Sequence, residues 1–220
     1  MLDGNPKAGD TARMRRGKFI VIDGMDGSGK TTEVTLLKKE LRGRAVLFTC
    51  EPGGTPRAEK IRKTLLTHKA GKRHALTDFF LFWAARAAHM EESIAPALAK
   101  GKVVISDRFD SSTYAFQVGA EKRPDLAKAF WACRKAILGK NAPDAYIILD
   151  LSPEAAMRRR SRDRSKRLTS FDKQSLAYHT RVRAGFKRFK PGTNVHFVNS
   201  DRSPEETHAD ILAIVKRIVG

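Results

Sequence analysis

Cysteine is scarce in this sequence, with only Cys50 and Cys133 among 220 residues. Two cysteines exclude a disulfide framework, and their spacing does not match a zinc-binding knuckle. A reducing cytoplasm is therefore the expected compartment. The sequence also lacks an apolar run of membrane-spanning length, so no transmembrane segment and no membrane partner are predicted.

Acidic residues are few relative to basic ones. The sequence has 43 Lys and Arg against 24 Asp and Glu, which gives a formal net charge of +19. Such an excess suits polyanionic partners, either phosphorylated small molecules or nucleic acid, and does not choose between them. The plainer interpretation is a solvated basic surface around a cationic nucleotide site. The charge also predicts weak, sequence-independent binding to nucleic acid.

The first residues lack the pattern of a signal peptide. Arg15 and Arg16 are not followed by an adequate apolar segment. Residues 1–16 are expected to form a flexible tail ahead of a single domain, residues 17–220. Hydrophobic residues make up 41% of the sequence and charged residues 30%, an ordinary balance for a globular chain that can bury a sizeable core.

Short apolar runs alternate with longer segments of helical period. The apolar runs predict five strands: Phe19–Asp23, Ala45–Thr49, Val103–Ser106, Ala145–Leu151 and Val195–Val198. The longer segments predict seven helices: Thr31–Leu41, Arg57–Leu66, Ala75–Leu98, Pro124–Leu138, Pro153–Arg162, Lys173–Phe189 and Pro204–Val219. Alternation of this kind predicts an α/β fold, a five-stranded parallel sheet flanked by helices, with ligands at the carboxyl ends of its strands.

One glycine-rich segment has the complete pattern of a phosphate-binding P-loop. It matches G-x-x-x-x-G-K-[ST] between a predicted strand and a predicted helix. Backbone N–H groups of such a loop surround phosphate oxygens, and the helix N-terminus favours their negative charge. Lys30 is expected to reach the β- and γ-phosphates, and the Thr31 hydroxyl to ligate Mg²⁺. The predicted ATP-binding residues are Gly24, Met25, Asp26, Gly27, Ser28, Gly29, Lys30, Thr31 and Thr32.

Asp107 ends the strand KVVIS. A carboxylate at this position is placed to hold Mg²⁺, often through water, as in other P-loop enzymes. The alternative is that Asp107 caps the N-terminus of the segment that follows.

Five segments carry a resemblance to a known family. They are FIVIDGMDGSGKTT, EPGGT, FWAAR, ISDRFDSSTYAFQ and LDLSPEAAMRRRSR, in this order. Over roughly residues 18–220 the chain resembles bacterial thymidylate kinase, a P-loop NTPase fold with a mobile lid. The resemblance implies phosphorylation of dTMP to dTDP with ATP and Mg²⁺, and a homodimer. The DRF block is its most specific piece, because a generic P-loop protein has no reason to carry it.

The resemblance also implies roles on the acceptor side. Phe82 stacks on thymine, and Arg86, one helical turn further on, hydrogen-bonds a thymine carbonyl. Arg108 clamps the acceptor phosphate. Taken as residues alone, Phe82 is more typical of a core aromatic, Arg86 of a surface charge, and Arg108 of a local ion pair.

Further acceptor-side positions follow from the same resemblance. Asp26 faces the 3′-hydroxyl of the acceptor sugar and the metal. Thr113 and Gln117 read the edge of the base, and Phe116 lies against the deoxyribose. Arg62 is a weaker candidate.

The basic segment RRRSRDRSKR, residues 158–167, matches the family's lid, which is expected over about residues 158–172. Some family members carry an arginine inside the P-loop, where this chain has Gly27, so a lid arginine is expected to stabilise the transition state. The catalytic residues are thus expected to be Lys30, Asp26 and Arg108 with one or more of Arg158, Arg159, Arg162, Arg164 and Arg167. A solvated basic helix or a nucleic-acid patch is the alternative for this segment.

The chain departs from the family pattern at three places. Cys50 replaces an arginine before EPGG, Phe116 replaces a tyrosine, and Thr169-Ser170-Phe171-Asp172 replaces an Asp-Arg-x-Glu pattern. A related nucleotide or nucleoside kinase with another acceptor therefore stays open, although Arg108 favours a nucleotide acceptor. A nucleic-acid-binding P-loop protein is the third hypothesis, and the lack of an RNA-binding aromatic signature counts against it.

Overall fold

The computed structural model of the chain describes residues 16–66, 74–163 and 169–220. The predicted tail thus lies outside the described residues except for Arg16, whose guanidinium pairs with Asp144 at 2.7 Å. Arg164 and Arg167 of the predicted lid also lie outside them.

A parallel five-stranded sheet forms the centre of the molecule. Its strands are β1 (Phe19–Gly24), β2 (Val46–Cys50), β3 (Val103–Asp107), β4 (Ala145–Asp150) and β5 (Asn194–Asn199). Their order in the sheet is β2-β3-β1-β4-β5, and all pairs are parallel. The α/β fold predicted from the sequence is confirmed.

Nine α-helices occur among the described residues. They are α1 (Lys30–Glu40), α2 (Pro56–Leu66), α3 (Ala75–His89), α4 (Ala95–Ala99), α5 (Asp110–Thr113), α6 (Leu126–Leu138), α7 (Pro153–Arg162), α8 (Leu176–Arg188) and α9 (Pro204–Val219). A π-helical turn at Met90–Ile94 joins α3 to α4, and a longer π-helical stretch, Tyr114–Ala120, continues α5. A short 3₁₀ turn, Gly139–Asn141, follows α6.

Serine side chains define where three of these helices begin. Ser152, Ser175 and Ser203 each accept a hydrogen bond from a backbone N–H in the first turn of α7, α8 and α9. At α9 the cap is reciprocal, because Glu206 also bonds back to the backbone of Ser203. The cap at Ser175 starts α8 three residues after the predicted Lys173.

The two faces of the sheet are covered by different helices. On β1, Phe19 and Val21 belong to the core that includes α3, α6 and α8, while Ile20 and Ile22 belong to the core that includes α1 and α9. This alternation is the period of two that a strand imposes on its side chains. No helix of the described residues is both long and apolar enough to cross a membrane.

Candidate active site

Two adjoining cavities lie at the carboxyl ends of the strands. The P-loop cavity is lined by residues 26–33 together with Cys50, Asp107 and side chains of α7. The aromatic cavity is lined by Phe82, Phe109, Phe116 and Phe171 around Arg86. Asp26, Glu51, Arg62, Leu66, Arg108 and Thr169 line both cavities, so the two form one continuous site.

Lys30 lies within the P-loop that it belongs to. Its Nζ atom donates hydrogen bonds to the carbonyl oxygens of Gly24, at 3.1 Å, and Met25, at 2.7 Å. Burial, together with the nearby Arg108 guanidinium, lowers the pKa of Lys30 to about 8. An anionic phosphate in the loop would favour the charged lysine and oppose this effect.

Gly27 is in contact with the backbone of α7. Its φ is +83°, and a Cβ at this position would lie 2.2 Å from the Ala156 carbonyl oxygen and 3.2 Å from the Arg160 nitrogen. Since the clash is with backbone, no side chain fits here. The backbone of α7 therefore excludes an arginine side chain from this position of the P-loop.

Arg108 joins the two cavities. Its backbone has φ 69°, in the left-handed region where a residue with a side chain is strained. The guanidinium donates to Asp26 Oδ1 at 2.6 Å, to the Gly24 carbonyl at 3.0 Å and to Ser112 Oγ at 2.9 Å. Burial alone would raise the pKa of Asp26, but the charges of Arg108 and Lys30 outweigh it and lower that pKa to about 2. Asp26 is thus a carboxylate at neutral pH.

Oxygen atoms suited to a hard cation line the P-loop cavity. The Thr31 hydroxyl and the carboxylates of Asp26 and Asp107 all belong to residues of its wall. Asp107 is not the cap of the helix that follows, because the residue at the N-cap of α5 is Phe109. The described residues contain no cluster of three or more acidic, histidine or cysteine ligands. This donor set fits Mg²⁺, which is usually held by one or two carboxylates plus substrate phosphates and water.

Phe82 lines a cavity rather than lying in the core. Its neighbours Phe79 and Trp83 are the buried members of the FFLFW run. The Phe82 ring is half-buried, with its centroid 6.5 Å from that of Phe171. The Phe171 centroid is in turn 5.9 Å from that of Phe116, so three neighbouring rings line the aromatic cavity. An arrangement of this kind can hold a flat aromatic group.

Arg86 is fully buried, which excludes a surface charge. Its guanidinium carbon lies 4.5 Å from the Trp83 ring centroid and 5.0 Å from that of Phe109. Nε and Nη2 are 2.9 and 2.8 Å from Glu51 Oε2, and Nη2 also donates to Thr113 Oγ1 at 3.1 Å. The predicted base-reading hydroxyl of Thr113 is therefore held against Arg86.

Two buried donors of the aromatic cavity have no partner among the described residues. They are Arg86 Nη1 and Gln117 Nε2. A buried donor without an acceptor is costly, and such groups call for an explanation. Because both residues line the cavity, a ligand carrying hydrogen-bond acceptors would satisfy them.

The described arginines of the predicted lid differ in where they lie. Arg158 and Arg162 are exposed and line neither cavity. Arg159 lines the P-loop cavity and donates to the Ser200 carbonyl at 2.7 Å. Arg160, which is not among the catalytic arginines predicted from the sequence, also lines it and forms a two-point ion pair with Asp172, at 2.9 and 3.2 Å. The available signal was helical spacing, because Arg160 follows the buried Ala156 by one turn.

Three further residues line the site: Arg62, which the sequence predicted, and Glu51 and Phe171, which it did not. Arg62 lines both cavities and donates to the Pro52 carbonyl. Glu51 and Phe171 were given no role from the sequence, although both stand in segments singled out there. Their partners Arg86 and Phe82 are distant in sequence, so only the folded chain reveals their contacts.

Comparison with known proteins gives a consistent result. A family model described as thymidylate kinase matches residues 22–211. The chain is similar to the thymidylate kinase of Symbiobacterium thermophilum, with 39% identity over 206 residues, covering 91% of this chain and 94% of that protein. It is 41% identical over 181 residues to the thymidylate kinase of Marinomonas sp., covering 78% and 80%. Among solved structures it is similar to thymidylate kinase from Ehrlichia chaffeensis, with TM-score 0.73 and 25% identity over 91% of this chain and 99% of that chain.

Proposed function

The chain belongs to the thymidylate kinase family, and on that premise we propose that it transfers the γ-phosphoryl group of ATP to dTMP. The products are dTDP and ADP. The observation that carries this proposal is the union of two cavities across Arg108 and Asp26, one with a complete P-loop and the other with aromatic rings and two unpartnered buried donors.

The P-loop cavity takes the ATP phosphates. Lys30 exchanges its bonds to loop carbonyls for bonds to phosphate oxygens, and free backbone N–H groups of the P-loop surround the polyphosphate. Arg159, on the Ser200 side of this cavity, adds positive charge.

The aromatic cavity takes the acceptor. Phe82 stacks on thymine, Arg86 Nη1 donates to a thymine carbonyl, and Gln117 Nε2 donates to the base edge. Cytosine offers an amino donor where thymine has its 4-carbonyl, so two donors would face each other. Phe116 packs against the deoxyribose, and Asp26 accepts from the 3′-hydroxyl.

The transfer needs no covalent enzyme intermediate. An oxygen of the acceptor phosphate forms a bond to the γ-phosphorus while the bond to the bridging oxygen breaks, and that electron pair leaves with ADP. Arg108 holds the acceptor phosphate close to Asp26 and the P-loop. Catalysis is therefore mainly positioning and electrostatic stabilisation.

Magnesium is the proposed metal, held by Thr31, Asp107 and Asp26 on the basis of their oxygen donors. When bound, it supplies positive charge to the β- and γ-phosphate oxygens.

Arg160 is the described lid residue best placed to act on the transferring group. It lines the P-loop cavity, and its charge contributes to the low pKa of Asp26. In the described conformation Arg160 is paired with Asp172. We infer that it leaves this partner, or shares it, when phosphates occupy the cavity.

A homodimer in the cytoplasm is the proposed state of the protein. Leu76 and Phe80 lie one helical turn apart on α3 and are exposed by 46 and 51%, which gives this helix an apolar surface for a second copy. Both cysteines are free thiols, as suits a reducing compartment.

The weak binding to nucleic acid stays a prediction based on charge.

The proposed function is tested by the release of ADP across a panel of nucleoside monophosphates and nucleosides. We expect the highest kcat/KM with dTMP, a much lower value with dCMP, and no turnover with thymidine. Turnover of another nucleotide but not of dTMP would identify a related kinase instead. No turnover with any acceptor would contradict the proposal.

A further inference from the structure

A buried relay of polar side chains extends away from the aromatic cavity. Thr49 at the end of β2 contacts His89 on α3, with 2.7 Å between Oγ1 and Nε2. The Nδ1 atom of His89 is 3.1 Å from Glu51 Oε1, and the Oε2 atom of Glu51 binds Arg86. His89, Glu51 and Arg86 are exposed by 0, 5 and 2%. None of these contacts with His89 is accounted for by the proposed mechanism.

The two carboxylate oxygens of Glu51 have different partners. Both contacts from Arg86 go to Oε2. With Arg86 as its only partner, the carboxylate could therefore rotate about the Cγ–Cδ bond of Glu51. His89 prevents this rotation by binding Oε1. Because a carboxylate can only accept, His89 Nδ1 is the donor to Glu51. In the tautomer that carries its proton on Nδ1, Nε2 accepts a hydrogen bond from the Thr49 hydroxyl.

The position of Glu51 determines where Arg86 presents its remaining donor. Nε and Nη2 are engaged by Glu51 and Thr113, and the guanidinium lies between the rings of Trp83 and Phe109. Nη1 is then the atom without a partner among the described residues. A fixed carboxylate thus fixes the direction of Nη1 in the cavity wall.

The loop that carries Glu51 also packs on the relay. A Cβ at Gly54, where φ is +87°, would lie 2.5 Å from His89 Nε2 and 2.6 Å from Thr49 Oγ1. The second glycine of EPGGT therefore leaves room for the Thr49–His89 pair.

We propose that His89 is a positioning residue for recognition of the acceptor base. It fixes the orientation of the Glu51 carboxylate, and this carboxylate orients Arg86 Nη1 toward the base. Thr49 holds the His89 ring in place through its hydrogen bond. The inference rests on the proposed function, since it assigns Nη1 to a carbonyl of the base. It predicts that His89 affects the acceptor cavity selectively and leaves the binding of ATP unchanged.

Two substitutions separate the two bonds of His89. In His89→Asn the amide nitrogen lies near the former Nδ1 and can still donate to Glu51. In His89→Gln the amide lies near the former Nε2 and keeps only the contact to Thr49. His208→Gln is the matched control, because His208 Nδ1 is 3.0 Å from Glu33 in a similar pair on the P-loop side.

Calorimetry measures the dissociation constants of dTMP, dCMP and ATP for the wild type and each variant. The thermal unfolding midpoint of each protein is measured as well. We expect His89→Gln to weaken dTMP binding about tenfold, as for a lost partner in a buried network, and to change dCMP and ATP binding by less than about twofold. His89→Asn should retain dTMP affinity within about threefold, and His208→Gln should not change it.

Equal losses in His89→Asn and His89→Gln would overturn the proposal, because they would show that the ring acts only by packing. Unchanged dTMP affinity in His89→Gln would overturn it as well. If neither variant folds, Thr49→Val takes their place, with an expected loss of about threefold for dTMP alone. Absence of that selective loss would also contradict the proposal. Turnover of dTMP by the unsubstituted protein decides the proposed function separately, since the affinities are measured without phosphoryl transfer.

Discussion

The two cavities of the site are built in opposite ways. The P-loop cavity is built around one contiguous segment, residues 26–33, in which the Lys30 side chain binds carbonyl oxygens of its own loop. Side chains from α2, from α7 and from the segments that follow β2, β3 and β5 complete its wall. The aromatic cavity is assembled from distant segments, with Glu51, Phe82, Phe116 and Phe171 contributed by four different parts of the chain. A contiguous site can be identified from a local pattern, whereas an assembled one is identified from sequence only through resemblance to a known family.

The two cavities also differ in what holds their polar groups. Lys30 is held by two carbonyl oxygens of its own loop, which stay in place whatever the side chains are. Arg86 and Arg108 are held by the carboxylates of Glu51 and Asp26. Removing one partner of a buried ion pair leaves the other charge uncompensated, so substitutions in the aromatic cavity should disturb geometry as well as chemistry.

The largest expected effect is on the P-loop side. Lys30→Ala should abolish turnover and leave the fold intact, because it removes the cation that faces the phosphates without breaking an ion pair. Lys39→Ala on the exposed face of α1 is the matched control and should keep wild-type activity. Release of ADP and the thermal unfolding midpoint check both. Residual turnover close to wild type in Lys30→Ala would show that the loop does not hold the phosphates.

The pKa of Lys30 adds a test of this same variant. The native pKa of about 8 lies below the ordinary value of 10.5, so between these values the unfolded chain holds a proton that the native state has released. Wild-type stability should therefore rise with pH through this window, and the rise should be absent in Lys30→Ala. Unfolding midpoints at pH 8, 9 and 10 measure the difference. A rise of equal size in both proteins would assign it to another group.

The sequence predicted the contiguous parts of the molecule well. All five strands were placed within two residues at each end. The run FIVID of β1 is buried throughout and has few other interpretations, whereas β2 and β5 are less buried and were placed by their short apolar runs. The helix over Asp110–Ala120 was missed, because DSSTYAFQVGA is rich in residues with weak helix propensity. Contacts with α8 compensate for that weakness. Arg160 and Glu51 were missed for a different reason, namely that a partner far along the chain determines the role of each.

A smaller effect is expected at Arg160, which lines the P-loop cavity from α7. Arg160→Ala should lower turnover by roughly 10³-fold if its guanidinium stabilises the transferring group. Arg158→Ala is the matched control, since this residue is on the same helix but lines neither cavity. Rapid-quench measurement of the chemical step compares them. Equal rates in the two variants would place the transition-state arginine elsewhere in the lid.

The smallest expected effect is at Phe116, where the aromatic cavity meets the core. The Phe116 ring lines the cavity, and its centroid lies 6.3 Å from that of Phe186, a core ring that does not line it. If the Phe116 ring fills the space of a ribose 2′-hydroxyl, that hydroxyl would be buried without a partner at a cost of about 1–3 kcal/mol. This cost corresponds to a roughly five- to 150-fold preference for deoxyribose. Phe116→Ala should therefore admit the ribose analogue of dTMP, and Phe116→Tyr should change little because it keeps the ring.

Phe116→Ala will also remove core contacts, so a loss of activity alone would not identify the role of the ring. Phe186→Ala separates the two effects, because it loses the neighbouring core ring without enlarging the cavity. We expect both variants to lower the unfolding midpoint, since large-to-small changes in a core typically cost about 3–5 kcal/mol. Only Phe116→Ala should change the ratio of kcat/KM for dTMP to that for its ribose analogue. If both variants keep the wild-type ratio, the sugar is read elsewhere and Phe116 belongs to the core. If both variants lose the wild-type ratio, selectivity for the sugar depends on the packing of all the rings in the aromatic wall. The sugar would then be recognised by an assembled wall, as the base is, and not by one residue.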